Sequence, residues 1–501
     1  MNRIFLIFFL GFSYTLSYAQ IETETERGSS YHASVQAQGV LTSKDHVPFW
    51  LRSNQFGSIP LPGISASFIG MARKDYDTVE SLPTDLVSGD RTRLFDWGAS
   101  LELRQDIGQG SRTTLIEGYA KVKVSIFELK AGRVKEMMGL VDTTLSSGAF
   151  SVSGNALGIP QVQLSIPNYW SIPLFGELFA VKGNFAHGWL GDLPRVQPHG
   201  FVQSQTFFHQ SSFYARLGRP DWRLHLFGGF NHQAYWGRQL LVNSTNKYLS
   251  DWKTYTYVVM GKTYAGSKIG NHLGSIDVKM EYDFDNVRLA VYRQNFYDEG
   301  ALAKLANIKD GLNGISLLNK APGESGFQWH KFLVELFYSK DQAGYPNSKL
   351  TKSGDENYYN NNEYEDGWSY KGLGVGNPFI TTSTSTRAGL PNDPTDYFNN
   401  NRVVAWYAGM EGAAGNYQFT AKASYSFNYG TFGTSKWGHS LARTFFPPRY
   451  GIWKEVRQFS AYLEVNRDLL DGWQAGCVAA FDSGGLFYNS SGLILKLRKS
   501  F

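Results

Sequence analysis

The chain offers few residue patterns that could do covalent chemistry. Carboxylates pair with cations at short range: Glu102 with Arg104 in LELR, and Glu117 with Lys121 and Lys123 in LIEGYAKVK. Two facing carboxylates could serve as acid and nucleophile of a glycosidase. On an alternating strand the same pattern neutralises charge across an enclosed lumen, which is the plainer expectation. His187, His199, His209, His225 and His232 share one stretch but lack metal-ligand spacing, so loop or lumen positions are expected for them. H-E-x-x-H, a P-loop and C-x-x-C are absent from the sequence. Ser151-Val152-Ser153-Gly154 is only a superficial match to a nucleophile elbow. The chain is therefore expected not to be an enzyme, and neither a cofactor nor a metal is expected.

Other residues suit recognition. Tyr358 to Asp366 reads YYNNNEYED, and Asn399 to Asn401 is a run of three Asn. Amides and hydroxyls bond sugar hydroxyls, and aromatic faces cover the C–H side of sugar rings. Trp236, Tyr359, Trp368 and Trp437 are the candidate polysaccharide contacts. Each could equally be a membrane-interface or loop-packing aromatic. Removal of Trp368 is expected to weaken binding and spare folding.

The elements that must position these residues are strands. The start of the chain has Asn2 and Arg3, an apolar run Ile4 to Phe12, and Ser17-Tyr18-Ala19. That is the layout of a signal peptide, residues 1–19, with cleavage leaving Gln20 and one domain over 20–501. The apolar run is too short for a spanning helix, which needs roughly 20 residues. Aromatics make up 15% of the chain, with 53 Gly against 17 Pro, the balance expected of barrel girdles and tight turns. A mean hydropathy of −0.30 suits strands shared between lipid and a polar lumen. The single Cys477 excludes an internal disulfide, and a net charge of +5 without a long basic run argues against nucleic acid.

The final segment, GLILKLRKSF, sets Leu493, Leu495, Leu497 and Phe501 on one face and Lys496, Arg498 and Ser500 on the other. Period-two alternation of this kind is what a wall between lipid and lumen requires. Similar segments include Ala33 to Val40, Ile64 to Ala72, Leu115 to Arg133 (two strands), Leu178 to Trp189, Ser212 to Leu217 and Trp222 to His232. Further ones are Ser275 to Phe284, Asn286 to Tyr297, Trp329 to Ser339, Arg402 to Glu411, Tyr417 to Phe427, Glu455 to Arg467 and Trp473 to Asp482. The fold class is all-β: a transmembrane antiparallel β-barrel of about 18 strands, an even number being preferred. Tight connections at 218–221, 283–286, 412–416 and 468–472 alternate with long ones at 233–274 and 428–454. The alternation fails between 298 and 401. Either a strand hides in 340–401, or 298–328 is a periplasmic insertion. Short helices are expected at Ala301 to Asn307 and Arg133 to Leu140, flanking or plugging the lumen.

Gly132 to Pro160 is richer in Ser and Gly than a lipid-facing strand needs. Its Gly132-Arg133, Leu145-Ser146-Ser147-Gly148, Ser153-Gly154-Asn155-Ala156 and Pro160 resemble the Wzi-type capsule assembly proteins in their Bacteroidetes form. Phe49-Trp50, Ser53-Asn54 and Phe56-Gly57 are similar to the family's N-terminal segment. Gly183 to Trp189 and Asn307 to Ile315 also look like family segments, as do Asp366-Gly367-Trp368, Gly374 to Pro378 with Asn377, and Asn401 to Val403. The resemblance implies an 18-stranded outer-membrane barrel of a Gram-negative bacterium, closed by helices and loops. It implies a lectin that retains exported capsular polysaccharide, distinct from the export channel. Expected partners are surface polysaccharide, outer-membrane lipid and the barrel-insertion machinery, with the chain a monomer. A porin for oligosaccharides is the alternative, and a barrel hydrolase a third reading.

Overall fold

The computed structural model describes residues 30–77, 94–108, 111–197, 200–237, 250–264, 267–298, 301–323, 326–342, 356–436 and 451–501. The expected signal segment, His199 and Trp437 lie outside them. Among the described residues the wall has strands β1 (Tyr31–Thr42), β2 (Ser65–Lys74), β3 (Phe95–Gly108), β4 (Arg112–Val124), β5 (Phe127–Arg133) and β6 (Gln161–Ser171). It continues with β7 (Phe179–Gln197), β8 (Gly200–Leu217), β9 (Leu224–Gly237), β10 (Asn271–Asp283), β11 (Val287–Tyr297) and β12 (Gly311–Asn319). The last are β13 (Phe327–Tyr338), β14 (Val403–Ala414), β15 (Tyr417–Asn428), β16 (Val456–Asp468), β17 (Trp473–Gly484) and β18 (Ser490–Ser500). Every strand pairs antiparallel with its sequence neighbours in one 18-stranded sheet. The circle closes where β1 meets β18, Ser34 opposite Ser500 through Thr42 opposite Gly492. Closure leaves no unpaired edge, which a bilayer requires.

The expected alternation holds on the closing strand. Leu495 and Leu497 are exposed on the outer face, while Lys496 and Arg498 line the lumen. On the neighbouring strand β17 Cys477 opposes Leu495 and is exposed on the same outer face. Inside, the polar residues are paired. Arg104 Nε donates to Asp106 (2.7 Å), Ser67 Oγ donates to the same carboxylate (2.7 Å), and Lys135 pairs with Glu102. Of the two carboxylates read as lumen charges, Glu102 is thus neutralised, by Lys135 and not by Arg104, whereas Glu117 accepts the Ser100 hydroxyl (3.0 Å) and the Lys135 N–H (3.3 Å).

Connections at the C-terminal end are short, such as 125–126, 284–286 and 415–416, and mark the periplasmic side. The opposite end carries 43–64, 134–160, 238–270, 339–402 and 429–455 and is extracellular. The strands alternate in direction throughout, but connection length does not always follow: 75–94 at the periplasmic end is long, and 109–111 and 198–199 at the extracellular end are short. Strand β12 lies within 298–328, so that stretch is not a periplasmic insertion, and no wall strand hides in the described part of 340–401. Its Gly311 and Gly314 made the stretch read as a broken helix. Gly314 is there because Tyr292 of β11 lies across it: a Cβ would come 2.2 Å from that ring. Strands β3 and β6 likewise lie outside the segments recognised by alternation.

Helix is scarce, but not where expected. Arg133 to Leu140 is extended, and only a 3-10 turn forms at Ala301–Lys304. Among the described residues the two α-helices are α1 (Phe49–Arg52) and α2 (Asp251–Val259). No helix among the described residues is long and apolar enough to cross a membrane.

Candidate functional site

Three extracellular connections fold into the barrel and interlock as a plug. The first carries α1. Its Phe49 N–H donates to Asp482 of β17 (2.8 Å), and Trp50 Nε1 donates to Ser424 of β15 (3.0 Å). The second is 134–160, whose small residues let backbones approach closely. Glu335 of β13 receives the Ser146 hydroxyl and the Ser147 N–H, both at 2.7 Å, and the Tyr292 hydroxyl. Glu136 receives side-chain amides from Gln161 (3.1 Å), Asn184 (3.3 Å) and Gln210 (3.0 Å) on three wall strands. Asp142 is half-buried, and its partial desolvation alone would raise its carboxyl. The Leu145 N–H, the Lys331 ammonium and the Thr144 N–H outweigh that and hold it below the usual range. The third connection, a strap over 356–402, lies across the other two.

The residues that carry the family resemblance meet in this interlock. Asn54 Nδ2 donates to Ser147 O (2.9 Å). Asn155 Nδ2 donates to Gly374 O (3.0 Å), and the Ser153 hydroxyl to Gly376 O (2.6 Å). Asn377 N–H donates to the Tyr359 hydroxyl (2.7 Å), and its side chain donates to Gly148 O. Trp368 Nε1 donates to Ser151 O (2.7 Å), and its ring stacks on Tyr235 of β9 at 4.1 Å between centroids. Gly148 and Gly367 have positive φ, and a Cβ on Gly367 would stand 2.2 Å from Tyr359 O. At the wall, a Cβ on Gly132 would meet Gly118 O at 2.2 Å. Arg133 donates to the Tyr370 hydroxyl (3.2 Å), and Pro160 O accepts the Trp189 N–H (2.9 Å).

The expected sugar platforms stand elsewhere than on open surface. Tyr359 and Trp368 are fully buried in the plug, so contact with a ligand at either ring would require the plug to open. Trp236 is buried on the outer face of the wall beneath α2. The expectation that Trp368 can be removed without cost to folding is corrected by its burial and its bond to Ser151. His187, His209 and His232 are not in the lumen either. They lie on the outward series of β7 to β9.

Sequence reasoning missed Glu335, Glu136 and Asp142, the carboxylates that hold the plug. Their signal was a lone acid inside apolar or small-residue runs, which standard charge pairing does not flag. Outward, the strap presents Asn361, Asn362, Glu365 and Asp366, which are exposed or half-buried. They rest on the projecting β7–β8 hairpin, where Arg195 pairs with Glu363 and Glu365 N–H donates to Pro194 O (3.2 Å). Burial raises the Asp366 carboxyl. Under the plug, toward the periplasm, a cavity of about 670 Å³ is lined by Gln36, Gln38, Arg73, Glu464, Lys496 and Arg498, among others.

A family model described as capsule assembly protein Wzi matches residues 17–410. No curated protein matches the chain. Solved structures with similar chains include OccK11 (OpdR) of Pseudomonas aeruginosa, at 11% identity and TM-score 0.37, covering 94% of this chain and 95% of that one. OccK3 (OpdO) of the same organism is similar at 10% identity and TM-score 0.44, covering 94% and 95%. A loop L8 deletion mutant of OmpT, an outer membrane protein of Vibrio cholerae, is similar at 8% identity and TM-score 0.34, covering 94% and 98%.

Proposed function

The chain belongs to the Wzi capsule assembly family, and on that premise we propose that it binds exported capsular polysaccharide at its extracellular end and helps retain it on the cell surface. The observation that carries this reading is the interlocked plug. Trp50, Phe150, Tyr359 and Trp368 pack against wall residues Tyr407, Phe296 and Tyr235 in one buried cluster spanning the barrel interior. A polymer conduit needs that space empty; a binding platform needs it filled and stiff. The outward edge of the strap supplies amides and carboxylates (Asn361, Asn362, Glu365, Asp366), which suit hydroxyl-rich ligands. In this reading Tyr359 and Trp368 hold the platform from below, and Trp437 remains a proposed direct contact. The role is non-catalytic. Its other partners are outer-membrane lipid and, during biogenesis, the barrel-insertion machinery, and the chain acts as a monomer after loss of residues 1–19.

The test is to delete the gene and measure cell-bound and shed polysaccharide separately. Bare cells with free polysaccharide in the medium support retention; a normal cell-bound layer on the mutant overturns it. Re-expression of a chain with Asn361, Asn362, Glu365 and Asp366 all changed to Ala tests the platform. Restored barrel without restored retention is the expected outcome.

A further inference from the structure

A second packed cluster lies on the outside of the barrel. On β8, β9 and β10 the outward series begins toward the periplasm with Phe213, Phe230, Ile276 and Val278, which are exposed. Toward the extracellular end the same series continues as His209, His232, Ala234, Trp236 and His272, and there it is buried. The cover is α2. Its Tyr255 ring stands 5.0 Å from Trp236, 5.6 Å from His187 and 5.9 Å from His209. Val258 is fully buried and packs with Ala234, Trp236 and Ile269. The helix therefore lies against the outer wall at the height of the exposed Trp189, where the apolar belt ends.

The far side of α2 is bare. Trp252 is 76% exposed and Met260 65%. Lys253 and Lys262 are exposed at its two ends, with no carboxylate in ion-pair range among the described residues. A wall-bound helix with an apolar outward face and free ammonium groups fits the headgroup layer. There Trp is at home, apolar side chains reach the acyl boundary, and lysines meet anionic phosphates. Two features join here: continuity with the lipid-facing belt below, and charge complementary to a phosphorylated headgroup.

We propose that α2 is a lipid-seated helix of the outer leaflet, with Trp252 and Met260 at the acyl boundary and Lys253 and Lys262 on the phosphates of an anionic lipid. The inference rests on the membrane placement of the barrel and is independent of the polysaccharide reading.

The test uses the full-length barrel in phosphatidylcholine vesicles with and without 30% phosphatidylglycerol. In a Cys477→Ser background, Met260→Cys carries an environment-sensitive dye. Blue-shifted emission quenched by lipid-borne doxyl groups, and shielded from aqueous iodide, is expected. Emission at the aqueous position with full iodide quenching overturns the seat. Amide exchange across α2 should slow about tenfold on adding the anionic lipid, and Lys253→Glu with Lys262→Glu should abolish that slowing. Equal slowing in the double variant overturns the headgroup contact. Slowing by free inorganic phosphate in the neutral vesicles would instead make the site a soluble-anion site. The substituted residues are exposed, and a heat-modifiable gel shift checks that each variant has folded.

Discussion

At the residue scale the plug is held by groups that cannot be exchanged singly. Trp368 is buried on all sides, and its one polar atom is satisfied by Ser151 O. Trp368→Ala should therefore cost about 3–5 kcal/mol, read as a lower denaturant midpoint in detergent, whereas Lys371→Ala on the exposed neighbour should leave the midpoint unchanged. Asp310 gives a pH handle. Its carboxylate sits outside the wall strands and accepts the Asp341 N–H (2.9 Å), the Gln342 N–H (2.7 Å) and the Tyr358 hydroxyl (2.8 Å). Burial pushes its pKa up to about 7 despite those bonds. A carboxyl raised on folding favours the native state while protonated. That stabilisation is fully present below the ordinary carboxyl value of 3.8 and is lost progressively as the pH rises from there to about 7. The strap amides near Tyr358 should then lose protection between about pH 4 and 7, after correction for the intrinsic exchange rate. Asp310→Asn should flatten the profile, and an unchanged slope in that variant would remove Asp310 as the cause.

At the element scale the closing strand is the simplest test of the wall. Leu495 is exposed at mid-strand, opposite Gly39 and Cys477. Leu495→Lys places an ammonium on the lipid face and should cost about 2–4 kcal/mol, measured by unfolding from vesicles. A cost no larger than that of Leu495→Ala would mean this face does not meet lipid. The strap is the other element with a separable role. It contributes no wall strand, since β13 pairs directly with β14. A barrel with residues 357–399 replaced by a short Gly-Ser linker should still fold and migrate as a barrel.

For the whole molecule, the consequence of a filled lumen is electrical. The intact chain should show little ion conductance in planar bilayers, and the strap-deleted chain clearly more. High conductance of the intact protein would favour the porin reading. The periplasmic cavity of about 670 Å³ is compatible with low conductance because the plug roofs it.

The sequence by itself determined the wall. Leu493 to Phe501 and its kin alternate with period two, and that local pattern admits one arrangement when one side is lipid and the other an enclosed polar space. Through the family resemblance it also singled out Asn54, Ser146 to Gly148, Asn155, Gly367 and Asn377, without saying that they meet in the plug. Only the tertiary structure decided what these residues touch. The bonds of Glu335 to Ser146 and Ser147 join positions nearly 190 residues apart, and no local pattern encodes such a pairing. Tyr235 and Trp236 are adjacent on β9, yet strand parity sends Tyr235 inward to stack on Trp368 and Trp236 outward beneath α2. Strand β12 was hidden for the same reason: its glycines answer to Tyr292 on a neighbouring strand, not to their own turn.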